Sequence, residues 1–396
     1  MASEDASLGV APARPAPWRD PKVRGIAYQI AFVGAIAALV AFVVHNTLVN
    51  IGRQNIATGF GFLGREAAFG IGESLIDYSP ADTYARAFLV GLTNTLHVAA
   101  LGVIFATVLG TVMGLARLSS NWLVAKLARV YVETFRNIPL TLQLFFWWGL
   151  LNKMSPGPRQ AWQILPDVFV SNRGIVYPVP VANPAYQWVA LAFLIGLAAT
   201  IGFNYWAKRR QMATGQQLPT GWVAAGLVVG FPMAVFLGFG APLHLDVPTL
   251  KGFNFSGGSS MSPEFAALLI GLVIYTGTFI AEIVRAGVLA VSWGQSEAAM
   301  ALGLRPGQRM RLVVLPQALR VIVPPLTSQY LSLTKNSSLA VIIGFPDLVS
   351  IANTTMNQTG QAIEGIAMIM AVYLFLSLSI SLAMNVYNRA VALVER

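Results

Sequence analysis

An all-α, polytopic membrane protein with about eight transmembrane helices is the architecture this sequence predicts, and three observations predict it. The 396 residues are 56% hydrophobic and only 11% charged, about half the charged fraction usual in soluble domains. Several stretches stay apolar over the roughly 20 residues needed to cross about 30 Å of hydrocarbon. The basic residues behind the net charge of +10 cluster at the ends of those stretches on one side, the pattern of a membrane protein rather than of a nucleic-acid binder.

Each element follows in order. Residues 1–24 are polar and rich in Ala and Pro, and read as a disordered cytoplasmic tail. Their positive residues come late and the next apolar run is too long for a secretory signal. Spans are expected at 25–48, 87–115, 129–152, 186–207, 220–241, 263–288, 319–343 and 364–388. Glu133, Arg136 and Lys335 interrupt the third and the seventh. With the N-terminus inside, Arg14, Arg19, Lys22, Arg24, Arg117, Lys126, Arg129, Lys208, Arg209, Arg210, Arg389 and Arg396 all fall on the cytoplasmic side. Outward loops carry Glu66, Glu73, Asp77, Asp82, Asp167 and Asp246 instead. An even number of spans keeps both termini inside. On the second span Gly102, Gly110 and Gly114 recur at four- and eight-residue spacings, which lets helices approach closely.

Several chemistries have no residues to carry them. The sequence has no cysteine, and His45, His97 and His244 lie in three separate segments, so neither a disulfide nor a metal site is expected. None of the six lysines follows a glycine, so no Walker A phosphate cradle is expected. The chain reads as a non-catalytic membrane subunit.

Between the sixth and seventh spans lies an ordered polar block, residues 282–325. Ser292 and Gln295 have the spacing of a helix N-cap and its reciprocal partner, and Gln295 to Leu302 reads as a short helix with small Ala298, Ala299 and Ala301. Gly303 stands where a helix C-terminus takes a left-handed residue, and Pro306 is placed to open the next helix. The piece carries one carboxylate, Glu297, followed by Arg305, Arg309, Arg311 and Arg320. It has the form of a rigid lever for a groove on a soluble partner, although Glu297 on its own also fits a solvated surface carboxylate.

Ionisable groups within spans are costly, about 2.5–3.5 kcal/mol near the midplane. Glu133 with Arg136, and Glu282 with Arg285, are spaced i, i+3, so each pair is placed to neutralise itself on one helix face, either as a gate or as helix-end anchors. Lys335 has no such acid. It belongs to the polar run Thr334, Lys335, Asn336, Ser337, Ser338, which fits a broken helix lining a cavity or an outer helix end. A free amino acid needs hydroxyls, amides and a cation of this kind. Thr93, Thr95, Gln143, Tyr275, Thr276, Thr278 and Gln329 are further candidate lining residues, although Thr276 and Thr278 also suit back-bonding within a helix.

Glu297-Ala298-Ala299, Gly303 and Val313-x-Leu315-Pro316 resemble the EAA signature of ABC importer permeases, with Val313 where Ile is usual. Gly294-Gln295, Pro316-Gln317-Ala318-x-Arg320, the stretch from Tyr275 to Glu282 with Arg285, and Lys335-Asn336-Ser337-Ser338-Leu339 are similar to the polar-amino-acid branch of that family. Gly91, Thr95-Leu96 and Tyr131-Val132-Glu133-x-x-Arg136-Asn137-x-Pro139-Leu140 resemble the first half of the same module. The likeness covers roughly 88–155 and 262–393. It implies a type I importer core of five helices, here with an extra N-terminal helix and a two-helix insertion, as in the long Q-type permeases of general L-amino-acid systems. The domains expected are 1–24 tail, 25–86 extra helix and periplasmic segment, 87–152 first core part, 153–262 insertion, and 263–396 second core part with a coupling helix at 292–305. ATPase coupling then falls to Gln295, Glu297, Ala298, Ala299 and Gly303. The implied partners are a second homologous permease, two ABC ATPase subunits holding ATP and Mg, a periplasmic binding protein, membrane lipid and an L-amino acid, with no nucleic acid. The implied location is the bacterial inner membrane. An ion-coupled secondary transporter is the rival reading, and it calls for carboxylates at membrane depth away from helix ends.

Overall fold

A computed structural model describes residues 21–53 and 58–391. The expected tail up to Asp20, and Arg396, lie outside these residues. α1 (Pro21–Arg53) begins within the stretch read as tail, so residues 21–24 are helical, and it buries none of its side chains against the rest of the chain. α2 (Tyr84–Ala116) starts at Thr83, whose hydroxyl accepts the Arg86 N–H at 3.3 Å. That bond satisfies one of the donors a helix start leaves open.

The expected third span is not one helix. α3 (Trp122–Asn137) and α4 (Leu140–Gly149) are separated by Ile138 and Pro139, and Ile138 is extended at φ −91°, ψ 124°. Proline has no N–H to give and bars helical backbone at the residue before it. A π-helical turn over Leu150–Met154 then closes the segment.

The insertion holds strands that the all-helical reading does not anticipate. β1 (Trp162–Leu165), β2 (Val168–Ser171), β3 (Gly174–Tyr177) and β4 (Val179–Pro180) precede α5 (Ala185–Thr214), α6 (Thr220–Ala225) and α7 (Phe231–Gly238). β5 (Leu245–Asp246), β6 (Thr249–Lys251), β7 (Asn254–Ser256) and β8 (Ser259–Met261) follow. β1, β2, β3 and β8 form an antiparallel sheet, with Ile175 opposite Met261. Because β8 ends two residues before α8 (Pro263–Leu289), the sheet is anchored at the start of that helix.

After α8 come α9 (Trp293–Ala301) and α10 (Pro306–Arg309), then a π-helical turn into α11 (Leu315–Asn336). α11 passes into a 3-10 segment over Ser337–Ile343, so the helix changes form inside the polar run while its backbone stays helical through Asn336 and Ser337. α12 (Leu348–Thr359) and α13 (Ala362–Val391) complete the chain. Mainly helical architecture holds. Among the described residues seven helices are long and apolar enough to cross a membrane: Pro21–Arg53, Tyr84–Ala116, Ala185–Thr214, Thr220–Gly238, Pro263–Leu289, Pro306–Ile343 and Ala362–Asn388. The remaining expected span, the third, is the broken pair α3–α4. Arg117, just before α3, bonds Glu282 near the end of α8, while Trp148 of α4 donates to Glu264 at its start, 3.0 Å away. The pair therefore runs from one end of α8 to the other.

α8 is the central post. Its small-residue contacts with α2 bear out the glycine spacing: a Cβ on Gly110 would lie 2.6 Å from Ile280 Cβ, and one on Gly114 2.7 Å from the Ala281 carbonyl. Gly102 faces Leu333 of α11 instead. One buried cluster joins Leu144, Phe265, Leu268, Leu272 and Phe345, and a second joins Ala106, Ile280, Ala318, Ile322 and Leu333. Close helix contact at small residues is what holds such a bundle where water offers no hydrophobic drive.

Candidate functional site

α8 is 27 residues long, about 40 Å at 1.5 Å per residue, and α9 stands at the opposite end from the sheet. Only residues 290–292 separate the two helices. Ser292 occupies the N-cap position, but its side chain makes no capping bond. The Gln295 side chain does not return to the cap; its Oε1 instead accepts from the Gln317 side-chain amide of α11 at 3.3 Å. The helix runs from Trp293 to Ala301, two residues earlier than expected. Its end matches the expectation fully. Gly303 has φ +74°, its N–H donates to Met300 O at 2.9 Å, and the Leu304 N–H donates to Ala299 O at 3.1 Å, the paired bonds of a Schellman cap. Pro306 opens α10.

The alanine side divides. Ala299 and Ser296 are buried, whereas Glu297, Ala298 and Ala301 are exposed. On the same outer surface Trp293 and Leu302 are 65% and 80% exposed. The presented face is thus apolar around a single carboxylate. The Gln295–Gln317 bond, with Gln317 also donating to Val313 O at 3.1 Å, fixes this helix to α11.

Of the two expected ion pairs, one forms. Glu282 accepts from Arg285 at 2.5 Å and also binds Arg117 of the loop after α2. Glu133 and Arg136 make no salt bridge. Both are exposed, Arg136 lies 5.2 Å over the Phe279 ring, and the Glu133 carbonyl accepts from Asn137 at 2.7 Å. Exposed pairs gain little from association, and here the guanidinium stacks on an aromatic face instead.

The candidate lining residues do not gather in one open cavity. Gln143 is buried and donates to Phe135 O at 2.8 Å and Ile138 O at 3.0 Å, serving the carbonyls freed by the Pro139 break. Thr93 and Thr278 bond back to Val90 O and Tyr275 O. Thr276 is buried, while Tyr275 and Gln329 are half-buried. Lys335 is exposed and Asn336 half-buried. Ser338 donates to Lys335 O at 2.7 Å and Ser337 to Thr334 O at 2.8 Å. Thr95 is enclosed: it donates to Gly91 O and accepts the Leu348 N–H at 3.1 Å. The absence of a Cβ at Gly91 admits Leu348 Cα at that point. Thr95, Ser337 and Ser338 do converge, around the Tyr373 hydroxyl of α13 and next to Asp347.

Three features escape sequence reading. Arg117 finds Glu282 across 165 positions, with no local spacing to signal it. Asn94 donates to both Glu73 O and Pro346 O at 2.9 Å, clasping two loops to α2. At the sheet end, a cavity of about 340 Å³ is lined by Glu73, Ser262, Glu264 and Ser350. Burial there holds the Glu73 carboxyl above its ordinary value and Glu264 pushes it further, against the hydrogen bond from Ser262.

The sequence of residues 192–393 matches the family described as binding-protein-dependent transport system inner membrane component. The chain is 52% identical to the general L-amino acid transport system permease protein AapQ of Rhizobium johnstonii, over 95% of this chain and 94% of that one. It is 41% identical to the glutamate/glutamine/aspartate/asparagine transport system permease protein BztB of Rhodobacter capsulatus, over 95% and 96%. Among solved structures, the crystal structure of an amino acid ABC transporter with histidines aligns over 78% of this chain and 95% of that one, with a TM-score of 0.46 and 22% identity.

Proposed function

The chain belongs to the family of binding-protein-dependent transport system inner membrane components, and from that premise we propose that it is the permease subunit of an ABC importer that carries polar L-amino acids across the bacterial inner membrane. The observation that carries the reading is α9. It is a short helix closed by a Schellman cap, joined to α8 by three residues and bonded to α11 through Gln295 and Gln317, and it presents Trp293, Glu297, Ala298, Ala301 and Leu302 outward. Exposed apolar surface rimmed by charge marks a docking face. The partners it serves are two ATPase subunits that bind ATP and Mg, since this chain carries no phosphate cradle of its own. Their closure on nucleotide drives α9, and through it α8 and α11, while a second permease completes the pathway.

Both termini and α9 face the cytoplasm, and the sheet and the Glu73–Glu264 cavity face the binding protein. The substrate path runs past the change to 3-10 helix after Asn336, where Lys335, Asn336 and Ser338 remain partly or fully accessible for a partner permease to enclose. The identities to broad L-amino-acid and acidic or amide systems support a broad substrate range. Reconstituting the complete complex in proteoliposomes tests the reading. Uptake of labelled glutamate, glutamine and leucine should require ATP inside and the binding protein outside. Uptake driven by an ion gradient in the absence of the ATPase would overturn it.

A further inference from the structure

Three consecutive cations near the end of α5, Lys208, Arg209 and Arg210, have no counter-charge within this chain. All three are exposed, and among the described residues none forms a salt bridge. No Asp or Glu occurs between Asp167 and Asp246, so the hairpin of α5 to α7 offers no acid of its own. α5 packs along α6 and α7, where Gly196 admits the Leu227 carbonyl at a point a Cβ would fill. Its other side is bare, with Leu194, Ile195 and Ile201 exposed as a lipid-facing surface.

The length of α5 sets the depth of these cations. Its 30 residues rise about 45 Å, well beyond the roughly 30 Å of hydrocarbon. Trp188 and Trp206, both exposed, lie about 27 Å apart along the axis, the separation of the two aromatic belts at a bilayer's interfaces. Lys208 to Arg210 then fall about 3–6 Å past Trp206, at the level of the phosphates. Ala207, 4% exposed, marks the packed side of the helix there. Successive residues turn by about 100°, so the three cations fan around the remaining circumference. The Arg209 guanidinium lies 4.5 Å over the Tyr205 ring and that of Arg210 5.4 Å over Trp206, each one helical turn back. Stacking holds the guanidinium plane while leaving its N–H edge open, and that edge matches two phosphate oxygens at once.

We propose that this end of α5 is a binding site for anionic phospholipid headgroups, with Lys208, Arg209 and Arg210 taking the phosphates and Tyr205 and Trp206 holding the two guanidinium groups at headgroup level. The exposed apolar residues above it receive the acyl chains, which a free anion lacks. That the site lies in the cytoplasmic leaflet rests on the orientation proposed above; its chemistry does not. The two-helix insertion thereby anchors the permease to anionic lipid. Each basic group at an anionic surface is worth about fivefold in binding, so three give on the order of 100-fold before salt screens them.

Native mass spectrometry of the full chain, titrated in detergent with phosphatidylglycerol or phosphatidylcholine, reads the preference directly. It needs neither ATP nor transport, so a failed lipid site and a failed importer are separately visible. Wild type should bind phosphatidylglycerol at least about tenfold more tightly than phosphatidylcholine at low salt. Lys208→Gln, Arg209→Gln and Arg210→Gln combined should bring the two lipids within about twofold. Tyr205→Leu with Trp206→Leu keeps every charge and should weaken phosphatidylglycerol binding several-fold. Lys126→Gln with Arg129→Gln, on α3, should keep the full preference. Equal affinities in wild type, an undiminished preference in either α5 variant, or an equal loss in the α3 variant would each overturn the site. Displacement of phosphatidylglycerol by millimolar inorganic phosphate, or by the ATPase subunits, would assign the patch to a free anion or a protein and overturn it as well.

Discussion

Gly303→Val isolates the lever from everything around it. A Cβ at this position meets nothing within 4 Å, so the substitution acts through the backbone and not through a clash. With φ at +74°, a residue with a Cβ loses roughly 1–2 kcal/mol, and β-branching raises the cost because valine is stiff at χ1. If the chain escapes to negative φ, the Gly303 and Leu304 bonds to Met300 and Ala299 are lost at about 0.5–1.5 kcal/mol each. Either route costs roughly 1–3 kcal/mol, a shift of about 5- to 150-fold in the closed cap. A helix of nine residues has little reserve of its own. The assay is ATP-driven uptake and binding-protein-stimulated ATPase in proteoliposomes, with insertion checked by protease protection. Uptake should fall at least about fivefold with insertion intact. Gly303→Ala should be intermediate, and Gly303→Asn close to wild type because asparagine tolerates left-handed backbone. Wild-type uptake in Gly303→Val would refute the reasoning that the cap transmits force.

Three further outcomes follow from the same geometry. Lys335→Ala should weaken uptake of glutamate and aspartate more than of leucine or glutamine, and equal losses in a competition assay would make Lys335 structural. Gly110→Ala places a Cβ 2.6 Å from Ile280 Cβ and should destabilise the α2–α8 contact by about 1–3 kcal/mol, read as a lower melting temperature in detergent. Gly34→Ala on α1, where nothing lies within 4 Å, should leave that temperature unchanged. Gln143→Leu strips the Phe135 and Ile138 carbonyls of their donors and should cost about 1–3 kcal/mol; an unaltered melting curve would mean water serves the break equally well.

What the sequence reveals here is whatever local periodicity and local chemistry determine. The apolar runs mark seven helices well because hydrocarbon thickness dictates length and composition together. The capped lever around Gly303 is legible for the same reason, since Schellman geometry is decided within six residues. From sequence the third span reads as continuous although Pro139 stands inside the Tyr131–Leu140 motif. Helices tolerate proline in membranes, as Pro324 and Pro325 within α11 demonstrate, so proline alone does not announce a break. The strands of 162–177 are too short to alternate clearly, and β3 finds its partner β8 only across the whole α5–α7 hairpin.

The candidate site shows the same division. Glu282–Arg285 forms at its predicted spacing, whereas Glu133–Arg136 does not, because a half-buried acid recruits a second arginine and an exposed one has little to gain. Thr95 is a lining candidate by virtue of its hydroxyl. Its role as an acceptor for the Leu348 N–H depends on a turn 253 residues away. Asp347, buried at the N-cap of α12, has no sequence signal, since nothing local distinguishes a buried helix cap from an exposed one.

The side of the membrane on which α9 lies, and what covers it, is the claim on which the transport reading depends most directly. The chain has no native cysteine, so Glu297→Cys supplies a unique thiol for a membrane-impermeant reagent. Labelling should occur only in inside-out vesicles stripped of the ATPase subunits, and should be blocked when they rebind. Modification from the outer face of intact right-side-out vesicles would contradict the account.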